Sequence, residues 1–340
     1  MAVTRWLLRK IKSINKTRMN KTIDIISKES GKSKLYIKCD IVKNFLFRGC
    51  GYTDYFRGNY INLTSIEKDT FVTAKSFYNF LSYMNDKKYE VILNNKIVFN
   101  NYFSKYIKRE WINLSTSTLE EFHQFIKNKD VVFAKTPIGE GGHGVKRIVL
   151  KDYDAKKLYK ELIKNNQILV EEAIKQSDEV NEINPNVVNS FRIVTIYKDG
   201  KIYIVNNALR VNQGKDDVIG CTDDIYFSLN EKGKIDSNVI DDYGNIYENH
   251  PLTNKKFSEV KISGVKEAFD LVKKLHLEIP QLRYIGWDIA FTNDGPELVE
   301  GNEYPGYGLF QFYKLYDNKK YGHKKEISDI LKDEMNNIKM

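Results

Sequence analysis

Cysteine is scarce. The 340 residues hold three, Cys39, Cys50 and Cys221, widely spaced and without a CxxC pair. This excludes a disulfide framework and a cysteine zinc site, and it fits a reducing, cytoplasmic setting. Proline is also sparse: there are six, and none precedes Pro137. No apolar run approaches the ~18 residues that a membrane-spanning helix needs. The five histidines, His123, His143, His250, His276 and His323, form no close pair that would suggest a metal. There is no GxSxG turn, and no cysteine has a suitable histidine near it. A covalent hydrolase therefore has no nucleophile to use.

Acidic residues are nearly absent from the start of the chain. Residues 1–50 carry 13 Lys and Arg against Asp24, Glu29 and Asp40; the other 290 residues carry 41 basic and 42 acidic side chains. The main body is close to neutral, which argues against a nucleic-acid channel through it. The basic surplus lies partly in residues 4–19, TRWLLRKIKSINKTRM. Trp6, Leu7, Leu8, Ile11 and Ile14 fall on one helical stripe among six cations. The apolar stretch is too short and too interrupted for a signal peptide. Two readings stand: a basic amphipathic helix at the inner face of an anionic membrane, or a helix packed on its own domain.

With 41% hydrophobic and 29% charged residues, the chain has the composition of a folded globular protein. Its length suggests two domains or one elaborated core. Residues 20–95 read as mainly helical, with 65–86 the clearest helix. The later part shifts to short strands: 131–135, 148–151, 168–172, 191–197, 201–210, 284–292 and 297–300. Lys198-Asp199-Gly200-Lys201 reads as a hairpin turn, and Asn293-Asp294-Gly295 joins the last two strands. Residues 154–165, 258–276 and the tail from His323 read as helices. The division expected is a helical region 1–95, lobes 96–180 and 181–320, and a C-terminal helix 321–340.

Four stretches have the residue types of a reactive site. FAKTPIGEGGHGVKRIVL (133–150) places Lys135 at a strand end before a glycine-rich turn. Glycines let backbone N–H groups approach phosphate oxygens closely, and lysine adds a charge. The turn is neither a Walker loop nor a dinucleotide fingerprint, because a strand follows it; a flexible hairpin is the alternative. ILVEEAIKQSDE (168–179) runs an apolar strand into two carboxylates. In GWDIAFTNDGPELVEGNEYPG (286–306), Asp288 lies on one strand and Glu300 and Asn302 at the end of the next. Glu300 and Asn302 are two apart and share a face. Such oxygen donors suit Mg2+ bridging phosphates, although an acidic hairpin end has the same residues. Finally, Arg192 and Arg210 lie inside apolar strands and need an anionic partner, either a structural carboxylate or a bound anion.

In this order, with GYTDYF (51–56) upstream and NVVNSFRIVTIYKDGKIY, ALRV and HPLTNKKF between, the sequence resembles the ATP-grasp superfamily over roughly residues 40–315. More closely it resembles the sugar-transfer-associated group of surface-polysaccharide gene sets. The resemblance implies an α+β fold in which two lobes clasp ATP, with a mainly helical N-terminal region. It implies phosphate contacts from Lys96 and Lys135, and a lid of Gly141, Gly142 and Gly144. The hinge Glu171, Glu172 and Ala173 would meet adenine, and Glu179 the ribose. Arg210 would neutralise the transferred phosphoryl group, and Asp288, Glu300 and Asn302 would hold Mg2+. Arg192 joins Arg210 and Lys135 as the expected catalytic set. The stretch after Arg210 departs from the group's Asp-Asn-rich substrate loop. The implied activity is a carboxylate–amine ligase acting through an acyl phosphate, with a sugar acid or lipid-linked glycan and an amino acid as candidate substrates. A phosphotransferase on the same scaffold and a non-catalytic nucleotide-binding module are the alternatives.

Overall fold

The computed structural model describes residues 15–139, 144–214, 224–317 and 319–338. Most of the basic stretch 4–19, the lid residues Gly141 and Gly142, and His143 and Cys221 lie outside the described residues. The chain divides into two compact units: Leu81–Pro305, and Met1–Phe80 together with Gly306–Met340.

The larger unit is α+β and contains two antiparallel sheets. The first has the order β1-β4-β2-β3, from β1 (Trp111–Asn113), β2 (Val131–Lys135), β3 (Val145–Val149) and β4 (Leu169–Glu172). Its core is Val132, Ala134, Ile148 and Val170 against Phe122 and Ile126 of one helix and Leu158 and Leu162 of another. These apolar residues alternate along β2, as a strand with one covered face requires.

The second sheet has the order β10-β9-β5-β6-β7-β8. Its strands are β5 (Ser190–Lys198), β6 (Lys201–Asn212), β7 (Asp224–Phe227), β8 (Ile240–Asp241), β9 (Tyr284–Thr292) and β10 (Gly295–Asn302). Phe191, Ile193, Leu209, Val211, Trp287 and Ile289 belong to one core with Val265, Phe269 and Val272 of the helix Val265–Glu278. Their sequence neighbours Arg192, Arg210 and Asp288 therefore point to the opposite face. The β5–β6 turn has Asp199 at φ 50° and Gly200 at φ 76°, the two positive angles of a tight two-residue hairpin.

Two expected helices differ from those observed. The stretch 65–86 is split into Ser65–Lys68 and Ala74–Met84. The Thr70 hydroxyl donates to the Glu67 carbonyl (2.6 Å), and Thr73 N–H donates to Ser76 Oγ (2.9 Å), the backward bond of a new helix start. The helix expected at 258–276 begins only at Val265. Gly264 has φ 84°, and Ile262 N–H is taken by Gly233 O (2.9 Å).

In the smaller unit, the helices Lys16–Ser30, Lys34–Arg48 and Tyr52–Arg57 bury Ile23, Ile26, Ile37, Ile41, Tyr55 and Phe56. The Gln311 side chain holds both backbone groups of Val72, accepting from its N–H (3.0 Å) and donating to its carbonyl (2.7 Å). No helix among the described residues is long and apolar enough to cross a membrane.

His276 is fully buried in the larger unit. Nε2 lies 2.7 Å from Leu282 O, which can only accept, so Nε2 carries the proton and Nδ1 accepts from Thr195 Oγ1 (2.7 Å). Trp287 Nε1 donates to the same hydroxyl (2.9 Å). Burial pushes this imidazole down to about 4 from its ordinary 6.5. The unfolded chain takes up the proton first, so stability is complete above pH 6.5 and falls between there and about pH 4. His276→Gln should reduce that loss, worth about 3 kcal/mol. Urea unfolding at pH 7 and pH 4.5 measures it.

Candidate active site

The face of the second sheet opposite its core gathers the charged residues. Register pairs Ser190 with Arg210, Arg192 with Asp288, and Asp288 with Glu300. Directly opposed residues in an antiparallel pair share a face. Arg192 donates to both carboxylate oxygens of Asp288, Nη2 to Oδ2 at 2.7 Å and Nε to Oδ1 in a shorter bond. Arg192 Nη1 donates to Pro305 O (2.9 Å). Gly286 makes room there, since a Cβ on it would come within 2.3 Å of Pro305 Cβ. Arg210 Nη2 donates to Asp224 Oδ2 (2.7 Å), and its guanidinium lies 5.7 Å from the Tyr226 ring centre. Arg210 Nε and Ser190 Oγ are buried and have no hydrogen-bond partner among the described residues.

Glu300 reaches this face through a bulge. The β9–β10 register runs Leu298↔Ile289 and then Glu300↔Asp288, skipping Val299. Side chains alternate along a strand, so without the bulge Glu300 would point to the other face. Burial and the negative charge of Asp288 hold the Glu300 carboxyl above its ordinary range, opposed by Lys96, Lys135 and Arg192. Burial acts the same way on Asp288, but Arg192 outweighs it, with Arg210 adding to the effect, and Asp288 lies below its ordinary range. The expected residues Lys96, Lys135, Arg192, Arg210, Asp288 and Glu300 thus form one electrostatic cluster. Asn302 joins it at the edge, its Nδ2 3.5 Å from Glu300 Oε1.

Lys96 opens the helix Lys96–Tyr102, capped by Asn95. Its Nζ donates to Gly139 O (2.6 Å), at the start of the glycine turn. Gly144 closes that turn at φ 80°, where a Cβ would come within 2.4 Å of Thr136 Oγ1. Glycine is therefore required at this position.

Lys135, at the end of β2, is ion-paired with Glu171 of β4. Glu171 is buried and also accepts from Arg109 Nη2 (2.9 Å) and Asn100 Nδ2 (2.7 Å). Arg109 then bonds β10: Nη1 donates to Leu298 O (2.7 Å) and Glu297 Oε1 (3.3 Å), and Nη2 to Val299 O (3.1 Å). The carbonyls at the bulge are thereby satisfied. Neither Arg109 nor Asn100 stood out in the sequence. Arg109 lies between Lys108 and Glu110 and lacks the apolar flanks that mark Arg192 and Arg210.

Other expected residues take positions outside this cluster. Glu172 bonds the backbone of Glu110, with its N–H donating to Glu110 O (2.9 Å). Ala173 is half-buried just after β4. The Glu179 carboxylate accepts from Ser263 N–H and Oγ, both at 2.7 Å. Among the described residues, no group of three His, Cys, Asp or Glu side chains could hold a metal. Asp288 and Glu300 with the Asn302 amide form a smaller, all-oxygen set. Its chemistry fits a hard divalent cation, because a buried and a half-buried carboxyl side by side lack charge balance at Glu300.

A family profile described as sugar-transfer associated ATP-grasp matches residues 76–315, well over half the chain. The chain belongs to this ATP-grasp family. The match includes both sheets and every residue of the cluster. No curated protein matches the sequence. Among solved structures, similarity extends to D-alanyl-alanine synthetase A from Vibrio cholerae, at 14% identity and TM-score 0.41, over 71% of this chain and 65% of that one. The ATP-grasp ligase PsnB, complexed with a minimal precursor, is 14% identical at TM-score 0.43, over 73% and 62%. An L-amino acid ligase from Bacillus licheniformis is 13% identical at TM-score 0.40, over 71% and 48%. This ATP-grasp chain spans less than two thirds of the length of each.

The Arg109–Glu171–Lys135 network gives a direct test. Burial raises the cost of a charged Glu171, but Arg109 and then Lys135 outweigh it and hold the carboxyl far below its ordinary 4.5. Its stabilisation is therefore present above pH 4.5 and is lost progressively as pH falls below that value. Glu171→Gln leaves two cations without their partner and should cost roughly 3–5 kcal/mol at pH 7. The variant's stability should also fall less steeply between pH 5 and pH 3, as read by denaturant unfolding.

Proposed function

We propose that the chain is an ATP-dependent ligase joining a carboxylate to an amine, acting in modification of a cell-surface polysaccharide or glycan precursor. The observation that supports this most is the convergence of four cations, Lys96, Lys135, Arg192 and Arg210, on the buried Asp288 and half-buried Glu300 carboxyls beside a glycine turn. Such a site binds and neutralises phosphate, and no nucleophile–base pair is needed. Lys96 and Lys135 hold the nucleotide phosphates, with the glycine turn over them. Glu171, Glu172 and Ala173 meet adenine, and Glu179 meets the ribose. Asp288, Glu300 and Asn302 hold Mg2+, which when bound neutralises phosphate oxygens and keeps them in place.

In this reading an oxygen of the substrate carboxylate attacks the γ-phosphorus of ATP. The bond to the β-phosphate oxygen breaks and ADP leaves. The amine then attacks the acyl carbon, inorganic phosphate leaves and a C–N bond forms. Arg210, whose Nε has no partner among the described residues, holds the transferred phosphoryl oxygens, and Arg192 keeps Asp288 ionised and aimed. The work is positioning and charge neutralisation. Dependence on ATP supports a cytoplasmic reaction.

ADP release assayed with paired carboxylates and amines tests the reading. Release should need both partners and leave an amide product. A phosphorylated product with no amine requirement would identify a phosphotransferase instead. Nucleotide binding without turnover under any pairing would identify a binding module. Asp288→Asn and Glu300→Gln should each lower turnover at least ~100-fold. Glu300→Gln should leave the unfolding midpoint within a few degrees, whereas Asp288→Asn also takes the ionic partner from Arg192 and should lower it. Full activity in either variant removes the metal assignment.

A further inference from the structure

We propose that the outward face of the helix Lys34–Arg48 docks onto an anionic phospholipid membrane. This helix has two apolar faces. The inner one buries Ile37 and Ile41, with Asn44 beside them. The outer one carries Leu35, Cys39, Val42 and Leu46, spaced by four, three and four residues along one stripe, with Tyr36 and Phe47 beside it. Leu35 is 73% exposed, Tyr36 53%, Val42 56%, Leu46 65% and Phe47 76%. Single exposed apolar side chains are ordinary, but five on one helical face form a contiguous patch of the kind that marks an interaction surface.

The helix is held firmly enough to present that face. Ser33 Oγ caps its start by accepting from Tyr36 N–H (3.3 Å), and Gly49 ends it at φ 68°. From the side, Tyr55 OH donates to Asp40 Oδ2 (2.6 Å), and Lys34 pairs with Asp24 (2.7 Å).

Charge selects the occupant. The remaining outward positions are Lys38 and Lys43, with Lys34 paired to Asp24, and no Asp or Glu of this helix is among them. Asp40, the helix's one acid, is half-buried on its bond to Tyr55. Apolar side chains flanked by lysines match an anionic lipid surface: the former enter the acyl boundary while the ammonium groups stay with the headgroups. A second copy docked by symmetry would instead bring lysines against lysines.

Flotation with vesicles of phosphatidylcholine alone, or mixed with phosphatidylglycerol, tests the surface on the full chain. Binding should need phosphatidylglycerol and weaken as salt is added. Leu46→Glu with Phe47→Glu should lower the bound fraction about tenfold. Its melting temperature and ATP-induced thermal shift should be unchanged, so failure of the ligase reading and failure of this one are separable. A second arm reads the surface with its apolar side chains in place: an environment-sensitive dye on Cys39 in a Cys221→Ser background, Cys50 being buried, should shift to the blue on mixed vesicles. Four outcomes overturn the proposal. They are absence of vesicle binding, unchanged binding by the glutamate variant, loss of binding only on deleting residues 1–14, and a dimer in sedimentation that the glutamate variant dissolves.

Discussion

The arrangement of the larger unit depends on one buried guanidinium. Arg109 reaches Glu171 in the first sheet and the bulged end of β10 in the second, so a single planar side chain ties the sheets together. Its donors take the carbonyls of Leu298 and Val299, which the irregular register leaves exposed to it. A buried carbonyl without a partner is costly, so this irregularity persists because Arg109 satisfies it. The bulge in turn turns Glu300 toward Asp288. The position of one candidate metal ligand thus follows from a cation that touches neither it nor any other residue of the set.

The same sheet separates folding from chemistry by parity. Phe191, Ile193, Leu209, Val211, Trp287 and Ile289 build the core on one face. Ser190, Arg192, Arg210 and Asp288, one step along the same strands, occupy the other. Core packing holds these strands to a single register, and that register holds the charged groups in place. The price is electrostatic crowding. Burial and a neighbouring charge leave Glu300 above its ordinary range, while the Arg210 Nε and the Ser190 hydroxyl have no partner among the described residues. Groups left in this state are ones that a polyanionic ligand, as proposed above, would compensate.

The smaller unit obeys different constraints. Its helices Lys16–Ser30 and Lys34–Arg48 are capped by Asn15 and Ser33, yet the helix Lys34–Arg48 keeps a second apolar face outside. Exposed as it is, that face adds little to the core of this unit; in the proposal above it meets a lipid surface.

Much was legible from local pattern. The hairpin at Asp199-Gly200 was, because only certain residues accept two positive φ angles. So was the shared face of Glu300 and Asn302, because a strand's side-chain period does not depend on its neighbours; that this face is the one holding Asp288 depends on the bulge at Val299. The glycine turn after Lys135, and arginines inside apolar strands, are also local signals. Helix ends were less legible: the break between Lys68 and Ala74 and the late start at Val265 turn on a threonine taking a backbone carbonyl and on a contact with Gly233. What only the tertiary structure decided is pairing at long range. Arg109 looks like any surface cation between Lys108 and Glu110, and nothing nearby in sequence announces that Glu171 and Val299 will meet it. The outer stripe of the helix Lys34–Arg48 likewise reads as core until the fold shows which face is covered. Periodicity says that side chains share a face; only packing says what that face meets.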